Sequence, residues 1–96
     1  MGVKVVNCRK QTYDVYIGRP SKWGNPFSWL PGTLAEFTAK DRNDSIDKYE
    51  AWIKQQPELM ASLEDLRGQT LGCFCHPSKC HGDVLAKLVR EAFPND

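Results

Sequence analysis

The chain reads as a small α/β domain: a sheet of three to four strands in a two- or three-layer arrangement with three helices. Two short β-branched runs near the start, residues 3–8 and 14–18, suit buried strands. Two stretches with apolar residues every three or four positions then separate them from a third strand-like run, residues 70–75. The last stretch, residues 84–93, carries the clearest amphipathic stripe, formed by Val84, Leu85, Leu88, Val89 and Ala92. Helices lying between the early strands and the last one make that last strand parallel to one of them, with a right-handed connection expected. The polar link 9–13 is expected to turn the first two strands into an antiparallel pair, so the sheet is mixed.

Each element has its own signal. Residues 18–32 hold glycines and prolines without periodicity and read as loop. A loop of that length in a small domain is usually functional, and Trp23, Phe27 and Trp29 argue that this one is ordered. Residues 34–39 fit a short strand or a helical turn equally. Asp44 reads as the N-cap of the first helix, with Asp47 adding negative charge to its first turn. Ile46, Tyr49 and Ile53 make its apolar face, with Trp52 at the edge. Pro57 restarts the chain at a first-turn position, Leu59, Met60, Leu63 and Leu66 mark a second short helix, and Gly68 suits its C-terminal end.

Bulk properties narrow the function classes. Ninety-six residues form one domain, 1–96. The net charge of +1 argues against strong nonspecific binding to nucleic-acid backbone, which needs a surplus of Lys and Arg. Apolar runs are too short to span a bilayer, and the N-terminus lacks a secretory pattern, so no membrane partner and a cytoplasmic location are expected. In a reducing compartment the four cysteines read as metal-binding, reactive or buried residues rather than as two disulfides.

Residues 72–83 concentrate the chemistry, with three of the four cysteines and both histidines. Cys80, His81 and Gly82 precede the expected last helix, whose first-turn N–H groups and positive dipole end favour an anion on Gly82, Asp83 and Val84. A Cys80 thiol in that place has its pKa lowered, helped by Lys79 and either histidine. Asp83 caps the helix or receives a ligand hydroxyl. A zinc site is the second reading, with Cys75, Cys80 and His81 as ligands and Cys8 or His76 as a fourth. Against it, Cys73 and Cys75 on one strand face stand about 6.6–7 Å apart, whereas two thiolates on one zinc sit roughly 3.8 Å apart. The third reading is packing, in which Cys73 is a small core hydrophobe and Cys80 with His81 closes the loop through hydrogen bonds.

The loop 18–27 gathers complementary groups. Arg19 offers bidentate contact to phosphate or carboxylate, with Ser21, Lys22 and the Asn25 amide as further donors. Trp23 offers a flat face for a base or sugar, and Gly24 permits close backbone approach. The competing reading is a tightly turned structural loop whose tryptophans plug the edge of the core.

Taken together, Val-Tyr-Ile-Gly-Arg-Pro-Ser-Lys-Trp-Gly-Asn-Pro-Phe (15–27), Lys48-Tyr49 with Trp52, Leu-Gly-Cys-Phe-Cys (71–75) and Cys-His-Gly-Asp-Val-Leu (80–85) resemble the DUF4326 family. Its members are small proteins of bacteria, archaea and phages with undefined function. The resemblance covers roughly residues 5–90, and its signature falls on Gly18, Arg19, Ser21, Gly24, Asn25, Pro26, Cys73, Cys75, Cys80, His81, Gly82 and Asp83. Phe74 stands where many members have Trp, keeping bulk and losing a donor; Cys8 lies outside the signature.

The expected function is binding of a small anionic, nucleotide-like or other phosphate-bearing ligand between the 18–27 loop and the last helix. Arg19, Ser21, Lys22, Trp23, Gly24, Asn25, Gly82 and Asp83 would hold it, and Cys80 as nucleophile or His81 as acid/base would serve hydrolysis or transfer. The alternative is a zinc-stabilised structural or interaction module, such as a phage accessory protein engaging a protein partner.

Overall fold

The computed structural model describes residues 2–19, 21–28, 37–74 and 80–94. Their order is β1 (Lys4–Asn7), β2 (Val15–Tyr16), β3 (Phe27–Ser28), β4 (Phe37–Thr38), α1 (Arg42–Ile53), α2 (Pro57–Ala61), a 3-10 turn (Ser62–Leu66), β5 (Thr70–Cys73) and α3 (His81–Ala92). The domain is α/β, as its sequence pattern predicts, with three helices and small sheets of parallel strands.

The main sheet has the order β1-β5-β2, and both outer strands run parallel to β5. The expected antiparallel pairing of the first two strands is therefore corrected: β5 lies between them. After β1 the backbone turns through Lys10 N–H and Gln11 N–H to the Asn7 carbonyl. Asp14 N–H then donates to Thr70 O at 2.8 Å and Thr70 N–H to the Asp14 carboxylate at 2.8 Å, which starts β2 on the far side of β5. The crossing lays Tyr13 over Gly72, where a Cβ would stand 2.6 Å from the ring. Glycine there makes room for the connection.

Register sets the faces. Val5, Leu71 and Val15 are partners across the sheet, and a strand's side chains alternate between faces. These three, with Val3, Ile17 and Cys73, contribute to the core that includes Val84, Leu85, Leu88 and Val89 of α3. α1 packs on α3 through Ile46, Tyr49 and Ile53. Pro57 opens α2, and Gly68, at φ 67°, ends the segment after the 3-10 turn as expected of a glycine there.

Three boundaries differ from the sequence reading. α1 is capped by Asp41, whose carboxylate accepts Asp44 N–H at 2.8 Å, while Asp44 reaches back to Lys40 N–H at 2.8 Å. The cap is thus Asp41, three residues before the Asp44 expected from the sequence. Within the stretch read as loop, Phe27–Ser28 pairs in parallel with Phe37–Thr38. α3 begins at His81, three residues before the expected start, so His81 and Gly82 lie inside the helix and Cys80 is its N-cap. The last strand is observed to Cys73; Cys75, His76, Lys79 and Trp29 lie outside the described residues. Among the described residues no helix is long and apolar enough to cross a membrane.

Candidate functional site

The carboxyl ends of the parallel strands form one rim, the place where open α/β sheets bind ligands. Cys8 N–H bonds Cys73 O at 2.9 Å and Ile17 N–H bonds Gly72 O at 3.0 Å, which aligns the three strand ends. α3 starts on this rim. His81 Nε2 lies 2.6 Å from the carbonyl of Ile17, just ahead of the 18–27 segment, and Tyr49 touches both the His81 ring and the Trp23 carbonyl, so that segment and the start of the last helix meet.

The helix start is closed upon itself. Cys80 Sγ accepts Gly82 N–H at 3.3 Å, and Cys80 N–H donates to Asp83 Oδ2 at 3.1 Å, a capping box with sulfur in the place of a hydroxyl. The Cys80 thiol also lies 3.1 Å from Cys73 Sγ. Both cysteines are buried, Cys80 to 2% exposure. The Cys73 contact and then burial push the Cys80 thiol well above its ordinary pKa, against a smaller opposing effect of the Gly82 N–H. The expected lowering is thus reversed, because desolvation and a second sulfur outweigh the helix terminus. A Cβ on Gly82 would stand 2.8 Å from Ile17 Cδ1 and 3.0 Å from Val5 Cγ1, so the helix start touches the sheet, and the Gly82 N–H is taken by Cys80 Sγ. Asp83 is exposed and its carboxylate closes the capping box.

His81 is buried against the rim. A carbonyl only accepts, so its Nε2 carries the proton and Nδ1 keeps the lone pair. Burial lowers its pKa, the Ile17 hydrogen bond opposes this, and the nearby positive charge of Arg19 lowers it further; the imidazole is neutral. The Tyr49 ring meets it edge-on with centroids 5.1 Å apart. The Tyr49 hydroxyl donates to Trp23 O at 2.7 Å, and burial holds the phenol protonated.

The 18–28 segment divides into structural and unanswered groups. Ser21 N–H donates to Gly18 O and Gly24 N–H to Ser21 O, both at 2.9 Å, so two successive turns fold it tightly. A Cβ on Gly24 would stand 3.0 Å from Arg19 Cγ, so the arginine stem lies against that turn. Trp23 is only 3% exposed and belongs to the core, so its ring is no open stacking surface. Lys22 is exposed, its Nζ 5.3 Å from the Trp23 ring centroid. The Asn25 amide donates to Ser45 Oγ at 2.8 Å and accepts Phe27 N–H at 2.9 Å, while Ser45 Oγ donates to Phe27 O at 2.9 Å. Asn25 therefore ties the loop to α1. Arg19 Nη1 and Ser21 Oγ are different: both are buried and neither has a hydrogen-bond partner.

Sequence reasoning missed Ser45, Tyr49 and the Ile17 carbonyl as organisers of the rim. Tyr49 was visible as one apolar position of a helix and as part of the resemblance, neither of which reveals the role of its hydroxyl, and nothing in a sequence marks a carbonyl. The zinc reading finds little support here: among the described residues no three His, Cys, Asp or Glu are grouped to hold a metal ion. His81 Nε2 is taken by Ile17. Cys75 lies outside the described residues.

Fold and rim together define a small parallel-stranded α/β domain with a polar site at the carboxyl ends of its strands. The chain belongs to the DUF4326 family, a domain of unknown function whose model matches residues 3–91. It is 38% identical over 93 residues to an uncharacterized 12.4 kDa protein in the nrdA-td intergenic region of Enterobacteria phage T4, covering 97% of this chain and 82% of that protein. No solved structure matches the chain.

Proposed function

We propose that the domain binds a small phosphate-bearing, nucleotide-like ligand at the rim between Arg19, Ser21 and the start of α3. The observation that carries this is the pair of unanswered buried atoms, Arg19 Nη1 and Ser21 Oγ. Buried polar groups are nearly always hydrogen-bonded, and an unpaired one costs about 1–3 kcal/mol. A phosphate oxygen answers both a guanidinium and a hydroxyl, and the dipole at the start of α3 adds to its attraction. Lys22, exposed on the same turn, supplies a further cation at the mouth. Neutral His81 offers its Nδ1 lone pair to a ligand hydroxyl or amine.

Binding, rather than covalent chemistry through Cys80, is the function this geometry favours. A buried thiol with a raised pKa is a poor nucleophile. Cys80 and His81 position the rim in this reading, and hydrolysis or transfer would need another attacking group. Cys8 and Cys80 as thiols fit a reducing cytoplasm.

Thermal unfolding with a panel of inorganic phosphate, pyrophosphate, sugar phosphates and nucleoside mono-, di- and triphosphates tests the proposal. At least one compound should raise Tm in a concentration-dependent way. Arg19→Met should abolish the rise and Ser21→Ala should reduce it. No shift with any compound, or an equal shift in Arg19→Met, would sink the idea.

A further inference from the structure

The sheet has a second face, opposite α3, and its residues have a composition of their own. The register places Val6, Gly72 and Tyr16 side by side, and strand alternation puts them opposite Val5, Leu71 and Val15. Val6 is buried yet lies outside the main core cluster. Tyr13 covers Gly72 on this face. Phe74, two residues beyond Gly72, continues it.

Aromatic rings line this face in sequence. Tyr13 and Tyr16 have centroids 6.3 Å apart, and Tyr16 and Phe74 5.8 Å apart. The Arg9 guanidinium lies 4.8 Å from the Phe74 ring centroid. Tyr13 is 43% exposed and Phe74 51%, two of the three exposed large hydrophobics among the described residues. The segment that carries two of these rings is basic: residues 3–16 contain Lys4, Arg9 and Lys10 against one acid, Asp14, whose carboxylate accepts the Thr70 N–H. Lys4, Arg9 and Lys10 are all exposed.

From this we infer that the outer face of the sheet binds single-stranded nucleic acid, with bases stacked on Tyr13 and Phe74 and phosphates paired with Lys4, Arg9 and Lys10. Exposed rings beside arginine and lysine are the two components of a single-strand platform: every base has a π-face, and cations follow the backbone. A protein partner is the poorer fit, since interface cores are depleted of lysine. The chain's net charge of +1 sets the character of the interaction. With about three phosphates engaged, the logarithm of affinity should fall with the logarithm of salt at a slope near −2, a shallow dependence in which stacking dominates. This surface is separate from the Arg19–Ser21 site, and the inference stands whether or not that site binds phosphate.

Fluorescence anisotropy with a 5′-labelled single-stranded 12-mer of thymidylate, its uridylate counterpart and a 12-base-pair duplex tests it. Both single strands should bind more tightly than the duplex. Phe74→Ser and Tyr13→Ser should each weaken binding at least about fivefold, and Arg9→Ala should weaken it and flatten the salt slope. Phe74 is half exposed, so Phe74→Ser should keep the wild-type Tm and separate lost binding from lost folding. Absence of binding at protein concentrations up to about 100 µM, the weak end of nonspecific affinity, would overturn the inference. So would equal duplex binding, or wild-type affinity in Phe74→Ser. Self-association by sedimentation velocity that Phe74→Ser abolishes would make a second copy the occupant and overturn it too.

Discussion

At the start of α3 the Cys80 thiol, the Cys80 N–H, the Gly82 N–H, the Asp83 carboxylate and the His81 imidazole all find partners within the protein. On the facing turn, Arg19 Nη1 and Ser21 Oγ are buried without any. Both segments lie within the residues that the family model matches, and both sit on the rim. The difference separates two reasons for keeping a polar residue. One set is needed to close a helix against a sheet; the other costs stability in the protein alone and is explained by something it meets. Substitutions should therefore behave oppositely on the two sides.

The largest loss is expected at Tyr49, which joins them. Tyr49→Phe removes the bond to Trp23 O and leaves that carbonyl unanswered beside a fully buried ring. Stability should fall by about 1–3 kcal/mol, read as a shift in the urea midpoint at constant m-value. A change below about 0.5 kcal/mol, within the range of ordinary surface substitutions, would show that the turn does not depend on α1.

Gly82→Ala probes the closed side directly. The added methyl overlaps Ile17 Cδ1 and Val5 Cγ1 in a packed region. Overpacking of about 1–3 kcal/mol outweighs the helix-propensity gain of about 1 kcal/mol, for a net loss of up to about 2 kcal/mol. Gly72→Ala is the useful counterpart: its methyl meets Tyr13, which is 43% exposed and can swing outward, so the loss should be smaller. Equal losses would mean that the outer face is packed as rigidly as the inner one.

How much of this was legible in the sequence follows from what each feature depends on. Amphipathic stripes and β-branched runs identified α1, α3, β1 and β5, because burial of one face is written into residue order. The meeting of residues 18–27 with 80–83 was also legible, through the rule that strand ends gather ligand sites. Strand order was not: nothing in residues 9–13 says that the chain crosses β5, and only the Tyr13–Gly72 fit reveals it. The site's chemistry was read from residue types, and burial then changed their meaning. Trp23 and Asn25 became scaffold, and Cys80 became an inert cap, since desolvation depends on neighbours remote in sequence.

A smaller effect concerns His81 and pH. Its pKa is lowered in the folded protein, chiefly by burial, while the unfolded chain titrates near 6.5. Above that value both states are neutral and the group contributes no slope. As pH falls below it the unfolded state takes up a proton first, so stability declines until the folded pKa is passed. One proton sets the maximum slope at about 1.4 kcal/mol per pH unit. Urea midpoints between pH 5 and 8 should show this decline, and His81→Gln, which keeps a donor for the Ile17 carbonyl, should show a shallower one. An identical decline in both proteins would place the acid sensitivity elsewhere.

The smallest change in stability is the one that separates the two sides most sharply. Arg19→Met keeps the methylenes that lie against Gly24 and removes the guanidinium whose Nη1 is buried and unpaired. On the closed side, deleting a polar group strands its partner. Here there is no partner to strand at Nη1, so ligand-free stability should stay within about 0.5 kcal/mol of wild type or rise by up to about 1 kcal/mol. The same variant should lose any phosphate-induced rise in Tm. A loss above about 1 kcal/mol in the absence of ligand would show that the arginine supports the fold, and the contrast between the two halves of the rim would disappear.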